Sequence, residues 1–149
     1  KIGFADFKQH FDSESSTIAN INEQSKYYRK KILYLDFFNR RKAKFITKKV
    51  EINKIENILK KLEINKIDIL KIDTEGYDFY VIEGLGEFIN KIKYIYFEHH
   101  FHNMLIKNYT LNDIHNFLEK NNFKKVFKIK MFFRKTFEYI YCNNSFINK

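Results

Sequence analysis

The sequence predicts a single α/β domain on three observations. Short apolar runs typical of buried strands alternate with segments whose apolar residues recur at helical spacing. The chain has no proline and only four glycines, which favours long ordered elements over a turn-rich all-β fold. Residues 66–86 (KIDILKIDTEGYDFYVIEGLG) lead from an apolar run through two carboxylates and a glycine into a helical pattern. Open α/β sheets present their ligand sites at such strand ends.

The N-terminal third is the least regular part. Residues 1–11 alternate loosely, which predicts a strand or half of a hairpin, and the polar residues 12–17 predict a loop. Residues 18–41 fit neither period and predict an irregular, partly helical excursion. Residues 44–52 alternate well enough to predict a strand.

A helix–strand–helix pattern follows. Residues 55–62 have helical spacing, with Asn53 as the predicted N-cap. A short connection leads into a strand at residues 68–73. A second helical segment then starts near residue 77 and stops at Gly84.

The last part of the chain predicts one more buried strand, a helix and a strand pair. Residues 93–99 are apolar on both faces, as in a central parallel strand covered by helices. Thr110 and Asp113 have the spacing of a capping box at a helix start. Residues 123–130 and 137–143 predict a C-terminal antiparallel strand pair.

Composition restricts the class of protein. Apolar residues make up 44% and aromatic residues 18%, which supports a buried core and argues against disorder. The formal charge of +10 has two interpretations, a surface for an anionic partner or lysines spread over a solvated face. Lysines occur in every segment and arginine is scarce, which favours the solvated face over a nucleic-acid partner.

Cysteine content and hydropathy bear on the compartment. Cys142 is the only cysteine, so the chain has no internal disulfide and no cysteine zinc cluster. This pattern fits a reducing compartment, and we expect the cytoplasm. No apolar run approaches the ~18 residues of a transmembrane segment, and residues 1–11 lack the layout of a signal peptide.

Residues 67–85, IDILKIDTEGYDFYVIEGL, resemble the signature of FkbM-type methyltransferases. The next strand, KYIYFEHH, supplies Glu98 where that family has a strand-end glutamate. The resemblance implies a Rossmann-like class I methyltransferase sheet and methyl transfer from S-adenosylmethionine to a hydroxyl. The acceptor would be a small molecule or a glycan.

The chain departs from the family in two places. The stretch around Asn53 lacks the family's acidic pattern, and no glycine-rich cofactor loop precedes Gly84. We therefore expect a sheet incomplete at its N-terminus, with the cofactor-binding residues upstream of this chain. In this interpretation residues 1–149 form one partial domain, with 1–43 as an irregular insert and 44–149 as the α/β core.

Asp73 is the first catalytic candidate, and Glu75, two residues further on, is the second. Removing a proton from a hydroxyl needs a base, and a strand-end carboxylate can serve. For Asp73 the alternative is a structural acid at a helix N-terminus. Two close acids raise the pKa of one of them, which would tune a base. Lys71 is unusual in an apolar strand and predicts an internal ion pair.

Residues 98–102 form the second cluster. In an extended segment Glu98, His100 and His102 point to one side and His99 to the other. A metal site, a substrate or base role, and a polar loop all stay open for it. Our assignment makes His100 catalytic and excludes a metal, while Glu98, His99 and Tyr77 bind substrate.

A non-catalytic function also stays open. An α/β module that uses a basic face for an anionic partner fits the same composition. An enzyme loses turnover when Asp73 is neutralised, whereas a binding module responds to salt.

Overall fold

The computed structural model describes residues 2–10, 16–39, 45–132 and 135–147. In chain order its elements are β1 (Gly3–Gln9), β2 (Asn20–Ile21), α1 (Lys26–Asn39), β3 (Ile46–Ile52), α2 (Ile55–Lys61), β4 (Ile67–Ile72), α3 (Asp78–Glu83), β5 (Ile92–His100), β6 (Leu105–Ile106), α4 (Leu111–Lys120), β7 (Phe123–Lys130) and β8 (Thr136–Asn143). Two short 3-10 helices lie at Gly86–Lys91 and Asn144–Phe146. The chain is mixed α/β, as predicted.

The main sheet has four strands in the order β4-β5-β8-β7. β4 and β5 are parallel, whereas β8 is antiparallel to both of its neighbours, β5 and β7. The predicted C-terminal antiparallel pair is confirmed. Because β8 also pairs with β5, the β7–β8 hairpin extends the main sheet beyond β5.

The hydrophobic core lies between this sheet and the helices on one of its faces. Alternate residues of the strands point into it, because successive side chains of a strand point to opposite faces. α3 packs on β5 and α4 on β7. Its buried apolar members include Ile72, Ile82, Leu85, Phe88, Ile89, Ile92, Ile95, Phe97, Ile114, Leu118, Tyr139 and Tyr141.

The opposite face of the sheet carries a row of partly exposed side chains. Lys71, Tyr96, Ile140 and Phe127 lie opposite one another on successive strands. Lys71 is exposed, and its Nζ lies 5.2 Å from the centroid of the Tyr96 ring. The predicted internal ion pair of Lys71 is therefore wrong, because at this strand the ammonium reaches solvent and packs on a ring.

Two small sheets lie beside the main one. β1 pairs antiparallel with β3, which confirms the strands predicted within residues 1–11 and 44–52. β2 pairs antiparallel with β6, and neither of these two short strands was predicted. The predicted irregular excursion is instead dominated by α1, a helix of 14 residues. The predicted loop falls mostly outside the described residues, and its last member, Thr17, bridges to Lys8.

The two predicted helix caps have different outcomes. Thr110 and Asp113 form the predicted capping box, since Thr110 N–H donates to Asp113 Oδ2 at 2.7 Å and Asp113 N–H to Thr110 Oγ1 at 3.3 Å. The Asn53 prediction is wrong by one residue, because the N-cap of α2 is Lys54. Asn53 Oδ1 instead accepts from Lys54 N–H and Asn57 Nδ2. Among the described residues, no helix combines the length and hydropathy needed to cross a membrane.

Candidate active site

The turn between β4 and α3 has an unusual backbone. Glu75 has φ +48° and Gly76 has φ +92°, so two consecutive residues are left-handed. Thr17 Oγ1 donates a 2.7 Å hydrogen bond to the Glu75 carbonyl and holds this conformation from a distant part of the chain. A non-glycine residue in this region costs about 1–2 kcal/mol, and such strain concentrates at functional sites.

Asp78, which sequence reasoning did not single out, closes the turn. Its carboxylate is buried, and Oδ1 accepts from Thr74 N–H at 2.9 Å and from Thr74 Oγ1 at 2.8 Å. Burial raises the pKa of Asp78, and the hydrogen bonds from Thr74 oppose that rise. Asp78 therefore has a structural role in shaping the turn that carries Glu75.

The turn brings Glu75 to the end of the neighbouring strand. His100 Nε2 lies 3.4 Å from Glu75 Oε2 and 3.4 Å from Glu98 Oε1. The side chains of Glu75, Glu98 and His100 are 17%, 11% and 6% exposed. Because parallel strands end at the same edge of a sheet, β4 and β5 place these three predicted residues together. We call them the carboxylate–histidine cluster.

Burial sets the protonation of the cluster. Desolvation raises the pKa of Glu75 to about 7, with smaller contributions from Asp73, Glu98 and Asp78, while Lys31 opposes the rise. Desolvation lowers the pKa of His100 to about 3, assisted by His102 and Lys107. At neutral pH the imidazole is therefore uncharged and Glu75 is close to half ionised.

The tautomer of His100 follows from its buried nitrogens. Nε2 faces two carboxylates, while Nδ1 is buried with no hydrogen-bond partner among the described residues. An orphaned N–H is rarer in folded proteins than an orphaned acceptor. We therefore assign the proton to Nε2, where it points at the carboxylates, which leaves Glu75 as the proton acceptor of the cluster.

Neighbouring side chains surround the cluster. The His102 ring is 5.0 Å from His100 and stacks on Tyr27 of α1 at 4.1 Å. His99 points to the other side, as predicted by strand alternation, and contacts the rings of Phe101 and Tyr109. His99 therefore lies on the other side of β5 from the carboxylate–histidine cluster. The contribution of α1 was missed, because its sequence carries no pattern that indicates contact with β5.

Asp73 and Tyr77 lie outside the cluster. Asp73 is exposed, although its charge still raises the pKa of Glu75. Tyr77 and Gly76 both line a cavity of about 820 Å³, where the Tyr77 ring is 4.6 Å from that of Tyr80. That volume is typical of small-molecule sites. Its other polar lining residues are Asn20, Glu51, Asn53, Lys54, Glu83 and Asn108.

Metal ligation gains no support from the geometry. Within the described ranges, no three or more His, Cys, Asp or Glu side chains are grouped as a metal ion requires. The rings of His100 and His102 are tilted by 60° with their centroids 5.0 Å apart, and both Nδ1 atoms are buried. The interpretation of residues 98–102 as a metal site is not carried further.

Gly76 tests how tightly the turn is packed. A Cβ added at Gly76 would lie 3.1 Å from Leu105 Cδ1 and 3.2 Å from Leu105 Cβ, and the residue has a positive φ. We expect Gly76→Ala to lower the free energy of unfolding by about 1–3 kcal/mol in chemical denaturation. Gly3→Ala is the matched control, since Gly3 has φ +143° but no atom within 4 Å. Equal losses in both variants would contradict the packing argument.

Comparison with known proteins gives one match. The family model described as "Methyltransferase FkbM domain" matches residues 3–125, which include the turn and the whole cluster. The match confirms the resemblance seen in residues 67–85. No curated protein and no solved structure matches the chain significantly.

Proposed function

The chain belongs to the FkbM methyltransferase family, and on that premise we propose that it carries the acceptor-side chemistry of an S-adenosylmethionine-dependent O-methyltransferase. The observation that carries the proposal is the buried carboxylate–histidine cluster of Glu75, Glu98 and His100. It lies at the ends of two parallel strands and contains one carboxyl whose pKa is raised to about 7. Perturbed groups of this kind mark candidate catalytic sites.

The cofactor fits this chain only in part. S-adenosylmethionine, which the family generally uses, would supply the methyl group. The described residues contain no glycine-rich turn between a strand and a helix, because Gly84 ends α3 and Gly86 opens a 3-10 helix. The cofactor cradle is therefore incomplete within them, and the roles of base, positioning and acceptor binding fall to side chains of this chain.

Glu75 is the proposed general base. A hydroxyl that accepts a methyl group must lose its proton, and a base acts best when its pKa is close to the working pH. With a pKa of about 7, Glu75 is both available as a carboxylate and able to take the proton. His100 is the proposed positioning residue, because its Nε2 lies 3.4 Å from both Glu75 and Glu98.

The cavity beside Gly76 is the proposed acceptor site. Its paired tyrosine rings and amide side chains suit an uncharged polyhydroxylated ligand, since aromatic faces stack on sugar rings and amides bond hydroxyls. Tyr77 directly follows the left-handed pair Glu75–Gly76, so the acceptor site and the base share one turn. We propose a sugar or glycan hydroxyl, or that of a similar small molecule, as acceptor.

The proposal also assigns a role to each part of the chain. Residues 44–149 form the α/β core, in which the sheet β4-β5-β8-β7 is part of a Rossmann-like methyltransferase sheet. Residues 1–43 add α1, whose Tyr27 stacks on His102 beside the cluster. Lys31 of the same helix lowers the pKa of Glu75 and opposes the effect of burial.

Transfer of a labelled methyl group tests the proposed function. The full-length protein is incubated with S-adenosylmethionine and a panel of hydroxyl-bearing glycans and small alcohols. We expect label in an acceptor, and we expect Tyr77→Leu to raise KM by about tenfold with little change in kcat. Tyr94→Leu, near the opposite end of β5, is the matched control.

Two outcomes would contradict the proposal. One is an absence of labelled product together with an absence of S-adenosylhomocysteine binding in calorimetry, while the protein remains folded. The other is label incorporated into an acceptor with Tyr77→Leu indistinguishable from Tyr94→Leu, which would remove the cavity from the proposed acceptor site.

A further inference from the structure

The β7–β8 hairpin presents an exposed surface that the proposed methyl transfer does not use. Every residue of β7 after Phe123 is exposed. We define the hairpin surface by its described members: Lys124, Lys125, Val126, Phe127, Ile129, Lys130, Phe132 and Lys135. We propose that this hairpin surface docks the protein on an anionic lipid bilayer.

The apolar part of the hairpin surface is large and clustered. Val126, Phe127 and Ile129 are 48%, 52% and 42% exposed, and Phe132 beyond the end of β7 is 83% exposed. Phe127 and Ile129 lie on the face of the sheet opposite the hydrophobic core, opposite Ile140 and Glu138 of β8. Exposed apolar side chains grouped in this way mark interaction sites.

The charged part of the hairpin surface has a single sign. Residues 123–135 read FKKVFKIKMFFRK, with five lysines, one arginine and no acidic residue. Lys125 and Lys130 lie across from Tyr141 and Phe137, on the opposite side of β7 from Phe127 and Ile129. Lys124, across from Cys142, shares the side of Phe127 and Ile129. The strand therefore has apolar side chains on one side, with a single lysine at the end of that side, and ammonium groups on the other, an arrangement suited to a bilayer interface.

The composition favours lipid over nucleic acid as the anionic partner. Proteins that bind single strands stack bases on aromatic side chains and use arginine beside them. The described members of the hairpin surface have lysine rather than arginine as the cation, and their phenylalanines are joined by valine and isoleucine, which cannot stack on bases. Lysine clusters beside apolar residues bind anionic headgroups. Charge complementarity with acidic lipid, plus apolar side chains able to enter the acyl boundary, carries the proposal.

The hairpin surface adjoins the carboxylate–histidine cluster. Thr136, the first residue of β8, pairs with His100, and Phe101 N–H donates to the Lys135 carbonyl at 2.8 Å. Docking through the hairpin surface would therefore bring the proposed active site close to the bilayer. The inference does not depend on the proposed function, because it stands on exposure and charge alone.

Vesicle binding tests the inference. The probe is co-sedimentation of the full-length protein with phosphatidylcholine vesicles that contain about one third phosphatidylglycerol, compared with pure phosphatidylcholine. We expect binding to the anionic vesicles only, weakened by added salt. The charge variant combines Lys124→Gln, Lys125→Gln and Lys130→Gln and is expected to bind roughly tenfold to a hundredfold more weakly. Lys128 stays unchanged because its Nζ packs on the Phe137 ring.

Matched controls separate the hairpin surface from the general positive charge. The control for charge combines Lys48→Gln, Lys49→Gln and Lys61→Gln, which are exposed on β3 and α2. A second variant, Phe127→Ser with Phe132→Ser, is expected to bind the anionic vesicles weakly, and high salt should abolish its residual binding. Its control is Phe4→Ser with Leu33→Ser, at sites 76% and 70% exposed. Thermal melts check that each variant is folded.

Three outcomes would overturn the inference. The first is equal binding by the charge variant and its control. The second is the absence of vesicle binding while a single-stranded oligonucleotide binds and the hairpin variants abolish it. The third is the absence of vesicle binding while the protein self-associates in sedimentation velocity and Phe127→Ser with Phe132→Ser prevents it. The labelled-methyl assay tests the proposed function separately from these three outcomes.

Discussion

Glu75→Gln is expected to lower the rate of methyl transfer by about two to four orders of magnitude, the usual contribution of a general base. Glutamine keeps the size of the side chain and a hydrogen-bonding oxygen for His100 Nε2, but it cannot take a proton. The loss should appear in kcat, measured with the labelled-methyl assay at saturating acceptor. A retained rate would exclude Glu75 as the base.

Two carboxylates provide controls for Glu75→Gln. Asp73→Asn changes an exposed acid at the end of the same strand, and Glu83→Gln changes an acid at the cavity. We expect each to change kcat by less than about tenfold, because neither is held against His100. A loss in Asp73→Asn as large as that in Glu75→Gln would instead make Asp73 the base.

The pH profile adds an independent readout. The wild-type rate should rise with pH and level off near the pKa of Glu75, which burial raises to about 7. Glu75→Gln should remove that inflection from its residual activity. His100→Asn should keep an inflection at a different pH, because it leaves the base in place and alters its surroundings.

Acidification from pH 7 to pH 4 is expected to lower the free energy of unfolding by on the order of 5 kcal/mol. Burial lowers the pKa of His99 and of His102 to about 4 and that of His100 to about 3, from 6.5. A lowered pKa of this kind contributes stability that is present above pH 6.5. That stability is lost as the pH falls through the folded values.

Glu75 acts with the opposite sign. Its pKa is raised from 4.5 to about 7, so its contribution is present below pH 4.5 and is lost as the pH rises through about 7. Between these values it offsets part of the histidine effect. The histidine effect is the larger one because three imidazoles contribute and because Lys107 disfavours the charged form of each.

Chemical denaturation at a series of pH values measures this balance. Between pH 6.5 and pH 4, the free energy of unfolding should fall less steeply in His102→Gln than in the wild type, and more steeply in Glu75→Gln. His115→Gln is the matched control, because His115 on α4 is partly exposed and contacts Tyr141 and Glu119 away from the cluster. A profile that is flat from pH 7 to 4 would show that the three imidazoles are not held neutral by burial.

Local rules predicted most of the elements. Strand alternation and helical spacing depend only on neighbours in sequence, so β4, β5, α4 and the β7–β8 pair were correctly predicted. The capping box succeeded for the same reason, since Thr110 and Asp113 satisfy each other. The Asn53 prediction failed because the side-chain Oδ1 of Asn53 accepts from Lys54 N–H, and the N-cap position falls on Lys54.

The composition of the carboxylate–histidine cluster could be predicted only in part from the sequence. Glu75, Glu98 and His100 were candidates because strand ends of a parallel sheet converge. Sequence reasoning ranked Asp73 above Glu75, whereas in the structure Glu75 lies beside His100 and Asp73 is exposed. The position of Glu75 depends on its left-handed backbone, which is held by Thr17 from far along the chain.

The sequence by itself determined the α/β class, the methyltransferase family and the strand ends that carry the carboxylates, because periodicity and short motifs are local properties. Tertiary structure alone decided which carboxylate is buried and what surrounds it. It also placed α1 beside His102, Asp78 inside the turn and Lys71 in solvent. Burial and long-range hydrogen bonds set these outcomes, and both depend on contacts between segments that no local pattern encodes.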